Sequence, residues 1–369
     1  MYDYLIVGAG FSGAVIAEQL ATKGKKRCLV IDRRSHIAGN CFDEPDTVST
    51  ILQHRYGPHY FRTNSQSVRK YLSKFTDWLM ADYRILSWVD NRYWQFPINL
   101  NTFEQLIDRA STPEEMMSTL SEWRVPIDNP KNSEEIIISQ VGRKLYEMFF
   151  RGYTKKQWKL DPSELDASVC GRIPIRTNRD DRYLSDSFQA LPRDGYTALI
   201  ARILDHSLID LSLNTTFSEV ANKGLWKKIV WTGPIDEYFG YRFGPLPYRS
   251  LQFSFETIKQ DFYQPVVQVN FPNDFAYTRI VETKHITRQK SEYTTIAREF
   301  PDDWHSGKEP YYPVPNIESN ELYNKYHNLS KKHSDVYFAG RLAKYKYYNM
   351  DQVVALAISM TESLLIENP

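Results

Sequence analysis

Cysteine is scarce in this chain. Its 369 residues include only Cys28, Cys41 and Cys170. These are too few and too irregularly spaced for a metal-ligand set or a disulfide framework, and the odd number fits a reducing compartment. Net charge is nearly absent too. The 46 Lys and Arg stand against 45 Asp and Glu, a formal +1, which argues against a nucleic-acid binder working through a basic face; any anionic ligand must be met locally. Long apolar runs are missing. The most apolar late segment, VVALAIS at 353–359, falls well short of the ~20 residues that cross a bilayer. Met1, Tyr2 and Asp3 lead into an apolar stretch with no basic segment ahead of it, unlike a secretory leader. The expectation is a soluble cytoplasmic protein without membrane insertion, repeats or low-complexity segments.

What is present is an ample apolar fraction, 42%, in a chain long enough for two or three structural units. Residues 4–8, YLIVG, followed by AGFSGAVIAEQLATKG and then KKRCLVID, predict strand, glycine turn, helix and strand, the opening of a doubly wound βαβ unit. From about 102 to 160 the segments TPEEMMSTLSEW and SEEIIISQVGRKLYEMFFRGY each begin with Ser or Thr ahead of acidic residues and predict a mostly helical insertion. From about 236 to 300 the alternating QPVVQVNF, AYTRIVET and EYTTIARE predict an antiparallel sheet. DVYFAGR and the helical MDQVVALAISMTESLLIE then bring the chain back to the first unit.

Gly8, Gly10 and Gly13 stand in GxGxxG order around Phe11 and Ser12, and Asp32 closes the second strand. The first glycine permits the turn, the second lets backbone approach a pyrophosphate, the third lets helix and strand touch, and the acid suits ribose hydroxyls. The helix N-terminus faces the negative charge. RRSHIAGN, with Arg33, Gly39 and Asn40, resembles the extension found in FAD-binding proteins of the glutathione-reductase and amine-oxidase kind, and VYFAGR resembles their second flavin contact. Together they favour FAD over NAD.

RGYTKKQW (151–158), GRIPIR (171–176), TGPIDEYFGYRFGPLPYRSL (232–251), YTRIVETKH (277–285), EPYYPV (309–314) and GRLAKYKYYNMDQV (340–353) are similar, in order and spacing, to the UDP-galactopyranose mutase family. The resemblance implies a Rossmann-type FAD-binding domain at 1–77 with 186–235 and 315–369, and a helical domain at 98–165. It assigns 78–97 with 166–185 and 236–314 to an antiparallel substrate sheet and mobile lid. It also implies a reaction in which reduced FAD attacks the anomeric carbon of a UDP-hexose, expels UDP and forms a flavin–sugar adduct whose ring reopens and recloses, serving cell-surface polysaccharide synthesis. A homodimer, and a reductant such as NAD(P)H visiting transiently, are further implications.

Residue by residue, the resemblance gives Arg172 and Arg279 to the diphosphate and Tyr183, Tyr312 and Tyr347 to the phosphate and sugar pocket. Phe149, Phe150, Tyr153, Thr154 and Trp158 become the uridine wall. Asn270 joins the substrate set, and Arg341 sits beside the flavin with Tyr348, Asn349, Met350, Asp351, Gln352 and Val353. The lid is 170–186. In YGPHYFRTN (56–64), His59 is the flavin-side imidazole of the family, while Pro58 and Arg62 stand where it has alanine and a second histidine. Arginine is a permanent donor, so Arg62 either reads an acceptor such as a 2-acetamido group or pairs with flavin or a nearby acid. Asn349 for aspartate and Ala38 for glycine are smaller departures. Mutases for UDP-N-acetylgalactosamine or for both sugars, an amine-oxidase-like flavin enzyme, and a non-catalytic flavoprotein remain as alternatives.

Overall fold

The computed structural model describes residues 1–367. Strand Tyr2–Val7, helix Phe11–Gly24 and strand Cys28–Ile31 form the expected βαβ opening. They belong to a five-stranded parallel sheet in the order Ile209–Ser212, Cys28–Ile31, Tyr2–Val7, Trp226–Trp231, Val336–Phe338. Leu5 and Ile6 are wholly buried, since a central parallel strand is covered on both faces and is apolar throughout. Gly8 has φ +111°, and a Cβ on Gly13 would lie 1.9 Å from the Gly8 carbonyl oxygen. The helix therefore meets the strand turn only because both positions lack a side chain. The last helix, Met350–Glu367, returns to lie along the first, and Leu365 Cδ2 sits 2.3 Å from where a Cβ on Gly24 would be.

The second sheet has seven strands in the order Tyr312–Pro313, Tyr248–Ile258, Thr294–Asp303, Arg279–Glu282, Gln268–Asn270, Ile85–Val89, Arg92–Phe96. It departs from the expectation of a purely antiparallel sheet at one place: Gln268–Asn270 runs parallel to Ile85–Val89. These two strands come from distant parts of the chain, so no hairpin forces them to oppose each other. Its longest strand, Tyr248–Ile258, lies outside the three segments expected to form the sheet, although Leu251, Phe253 and Phe255 keep a two-residue period. Trp78–Met80 joins a separate three-stranded sheet with Phe61–Thr63 and Phe188–Pro192.

The helices Leu100–Ile107, Pro113–Trp123 and Ser133–Tyr146 follow strand Arg92–Phe96 in the chain, and the first of them packs against that strand. Thr112 caps the second through the Glu115 N–H, as its sequence predicts, but the third is capped by Asn132 rather than Ser133. Its run is broken at Gly142, with φ +78°, where a Cβ would come within 2.3 Å of the Trp123 carbonyl oxygen. A π-helical turn, Glu147–Arg151, then leads into helix Gly152–Trp158.

Replacing Gly13 by alanine should cost at least about 3 kcal/mol, the upper range for overpacking, because the obstacle is backbone rather than a flexible side chain. Thermal unfolding of Gly13→Ala beside the parent checks this; an unchanged midpoint would mean that helix and strand are less closely apposed than described.

Candidate functional site

Two cavities meet at Asn40, His59, Arg341 and Met350. The larger, about 560 Å³, lies over the C-terminal ends of the parallel strands and is lined by Gly8, Gly10, Phe11, Ser12, Asp32, Arg33 and Gly39, with Tyr348 and Val353 across it. Helix Phe11–Gly24 starts at Gly10 without a side-chain cap, so the first-turn N–H groups that no helix can satisfy internally are left for a ligand. Asp32 holds the loop in shape: its Oδ2 accepts the Ala9 N–H and its Oδ1 the Arg34 N–H, each at 2.9 Å. A Cβ on Gly39 would meet Gly10 Cα at 3.2 Å. Bare backbone at the glycines, an uncapped helix and an acid at the strand end fit a dinucleotide. Ala38 keeps the loop in shape despite a left-handed φ of +71°, its N–H donating to the Ala9 carbonyl at 2.9 Å.

The arginine most firmly built into this cavity is Arg34, which the sequence reading passed over in favour of its neighbour. Arg34 Nη2 donates to Asn40 Oδ1 at 2.8 Å and to Glu309 Oε2 at 2.6 Å, and its guanidinium lies 4.5 Å from the Tyr56 ring centroid. Arg33 reaches the same Glu309 carboxylate at 3.1 Å from a more exposed position. Burial alone would raise the Glu309 carboxyl, but the hydrogen bond and charge of Arg34, with Arg33 beside it, hold it below the ordinary carboxylate value.

Among the predicted cofactor residues, Gly13 lies beneath the loop, and Asp351 and Gln352 line neither cavity. Met350 and Val353 do, three residues apart on one helix face, so the two between them turn elsewhere. Gln352 Oε1 instead accepts the Asn349 N–H at 2.9 Å and caps its own helix.

The smaller cavity, about 210 Å³, brings together all the predicted substrate residues from four parts of the chain. Arg279 opens strand Arg279–Glu282, and its Nε and Nη2 both donate to Glu299 Oε2, at 2.9 and 2.6 Å. Glu299 is buried on the adjacent strand. Arg172 and Arg341 make no ion pair with a carboxylate among the described residues; their guanidiniums stand 5.1 and 4.6 Å from the Tyr347 ring centroid. Arg341 is held by the Tyr348 carbonyl at 2.7 Å. Burial would raise the Tyr347 hydroxyl, but Arg172 and Arg341 bring it down to about 8. Two uncompensated cations and an acidified phenol make this cavity a receptor for a multiply charged anion.

Its far wall is aromatic. The π-helical turn points consecutive rings inward: Phe149 packs between Trp94 and Phe96, centroids 5.8 and 6.0 Å away, and Phe150 packs on Phe96 at 5.7 Å. Both are core residues with edges on the cavity, so the accessible wall is Tyr153 and Trp158, the latter 6.1 Å from Tyr312. Thr154 is buried with Oγ1 3.4 Å from Cys170 Sγ. Tyr183 hangs from the 170–186 segment, its N–H on the Tyr83 carbonyl at 2.7 Å. Arg62 is paired with Asp186, Nη1 to Oδ2 2.6 Å.

His59 lies at the junction of the two cavities. Its Nδ1 is 2.8 Å from the Gly57 carbonyl and must carry the proton there, leaving Nε2 as an acceptor, while its backbone N–H donates to His54 Nδ1 at 3.0 Å. Burial, with His54 and the charges of Arg341 and Arg279 acting the same way, pushes the His59 imidazole down to about 3. It stays neutral at physiological pH and does not titrate there.

A family model described as UDP-galactopyranose mutase matches residues 148–347, and one described as an NAD(P)-binding Rossmann-like domain matches residues 6–75. The chain is 36% identical to a probable UDP-galactopyranose mutase of Klebsiella pneumoniae, over 98% of this chain and 94% of that protein. It is also 36% identical to a dTDP-fucopyranose mutase of Escherichia coli, over 100% of this chain and 99% of that protein. A solved structure of reduced UDP-galactopyranose mutase superposes with a TM-score of 0.79 at 17% identity, covering 100% of this chain and 94% of that one, a likeness of fold. No helix among the described residues is long and apolar enough to cross a membrane.

His54 and His59 are both depressed by burial, to about 4 and about 3 from an ordinary 6.5. As pH falls the unfolded chain therefore binds more protons than the folded one. Their contribution to stability is complete above 6.5 and is lost as pH drops toward those lower values. Thermal unfolding across that range should fall less steeply for His59→Gln than for the parent; equal slopes would show that the imidazole titrates normally in the folded protein.

Proposed function

The chain belongs to the UDP-galactopyranose mutase family and is a pyranose/furanose mutase, an isomerase; from that premise we propose that it interconverts UDP-galactopyranose and UDP-galactofuranose, with FAD in the larger cavity and the UDP-sugar in the smaller. The observation that carries this reading is the group of three arginines, Arg172, Arg279 and Arg341, of which only Arg279 has a carboxylate partner among the described residues. All three line the aromatic-walled cavity, and Arg341 also lines the dinucleotide cavity that meets it.

FAD would be held by the loop at Gly8, Gly10, Phe11 and Ser12, by Asp32 and Arg34, and by Asn40, Arg341 and the start of the last helix. When bound and reduced it supplies a nucleophilic ring nitrogen for the anomeric carbon. The protein's own work is binding and charge control. Arg172 and Arg279 take the diphosphate, whose negative charge grows as its bond to the sugar breaks. Tyr347, already acidified by its arginine neighbours, donates a strong hydrogen bond to the same oxygens, with Tyr312 and Tyr183 beside it. Tyr153 and Trp158 receive the uracil. Neutral His59 offers Nε2 as an acceptor between cofactor and sugar, and Arg341 supplies positive charge that favours an anionic reduced flavin. We take 170–186 as a lid over the nucleotide. A cytoplasmic homodimer, a nicotinamide reductant that visits without a site of its own, and a product destined for a cell-surface polysaccharide complete the proposal.

Arg62 lines the cavity, and although its Nη1 is taken by Asp186, its remaining donors support one second reading, in which Arg62 presents a donor to a 2-acetamido sugar. Enzyme reduced with dithionite, supplied separately with UDP-galactofuranose, its 2-acetamido counterpart and dTDP-fucofuranose, and followed by chromatography, separates these readings. Conversion of the galactose compound is expected. Preference for the acetamido sugar that disappears in Arg62→His would give Arg62 the sugar-reading role, and conversion of none of the three would overturn the mutase reading for these substrates. Glu299→Gln should weaken UDP binding ~10-fold by loosening Arg279, about the cost of weakening a buried charged hydrogen bond; calorimetry with UDP reads this directly.

A further inference from the structure

Lys156 lies on helix Gly152–Trp158, the same helix that carries Tyr153, Thr154 and Trp158 to the cavity, but it does not itself line the cavity. Its ammonium donates to the carbonyls of Phe271, Phe275 at 2.8 Å and Tyr277 at 3.2 Å. An ammonium has three donors, and one loop takes all three. That loop joins strand Gln268–Asn270 to strand Arg279–Glu282, so substrate-wall residues Asn270 and Arg279 sit at its two ends. Lys156 makes no ion pair with a carboxylate among the described residues; Asp274 on the loop acts on it only at longer range.

The contact is close along the whole seam. A Cβ on Gly152 would lie 2.5 Å from the Pro272 carbonyl oxygen and 2.6 Å from Asn273 Oδ1, and Asn273 Nδ2 donates to the Met148 carbonyl at 3.3 Å. The loop is thus docked against the last π-helical turn and the helix after it. We propose that Lys156 is a positioning residue, whose threefold grip on the 271–277 loop sets the spacing between the nucleoside wall and the diphosphate-binding Arg279. A ligand that spans both walls is bound well only when their separation is held, and among the described residues the ammonium is the charged group that bridges helix to loop. The inference rests on the proposed reading that UDP lies between Tyr153 and Arg279.

Lys156→Met keeps most of the stem and removes the donors. With FAD bound and reduced, its UDP dissociation constant and the KM for UDP-galactofuranose should rise ~10-fold, while kcat at saturation stays within about twofold, as three carbonyls lose their partner away from the reacting atoms. Lys156→Cys treated with 2-bromoethylamine restores an ammonium on a stem of the same length, and the three native cysteines are all buried; this protein should recover the parent's UDP affinity. Retention of the flavin spectrum serves as the check on folding, and if Lys156→Met fails it, the alkylated and unalkylated Lys156→Cys proteins give the same comparison. A lower unfolding midpoint with UDP affinity unchanged would overturn the positioning role in favour of a merely structural one. Absence of UDP binding by the parent would instead overturn the reading beneath it.

Discussion

Two guanidinium groups held about 5 Å from one phenol ring repel each other, and no carboxylate among the described residues neutralises them. Much of the substrate side can be understood as the means of tolerating that arrangement. Arg341 is fixed by a neighbouring carbonyl rather than an acid, and the Tyr347 ring presents its electron-rich face to both cations. The buried Glu299 is engaged by Arg279 through a single oxygen. An anionic ligand therefore relieves a strain that the folded chain otherwise carries, and binding to the folded state alone stabilises it.

That concentration of charge is assembled from segments far apart in sequence. Arg172 follows a short helix, Arg279 begins a strand, and Arg341 belongs to a short helix after the last parallel strand. They converge because all three line one cavity, which meets the cavity over the C-terminal ends of the parallel strands. The Gly8–Gly13 contact fixes the floor of the first cavity; the docking of residues 147–158 on the 271–277 loop fixes the far side of the second.

The βαβ opening was legible because its signals are local: glycines at required spacings, continuous apolar strands, and an acid where the second strand ends. The last helix was legible for the same reason, and the family motifs supplied residues that do gather at one cavity. The illegible parts depend on partners distant in the chain or on a change of backbone period. Arg33 and Arg34 are indistinguishable by composition, and only the path of the backbone turns Arg34 inward to Glu309. Glu299 looks like a solvated strand residue until Arg279 is placed beside it. The resemblance put Phe149 and Phe150 together in the uridine wall, whereas the π-helical turn buries both and leaves only their edges on the cavity. The break at Gly142 answers to the Trp123 carbonyl, on another helix. Asp351 and Gln352 were carried along with a motif, although helical rotation directs only Met350 and Val353 of their neighbourhood inward.

The four residues common to both cavities, Asn40, His59, Arg341 and Met350, bring a thermodynamic obligation. A ligand in one cavity that orders any of them changes the free energy of filling the other, and the change is the same in both directions. Occupancy of the two chambers is therefore one linked equilibrium, and an affinity measured in either has meaning only with the filling of the other stated.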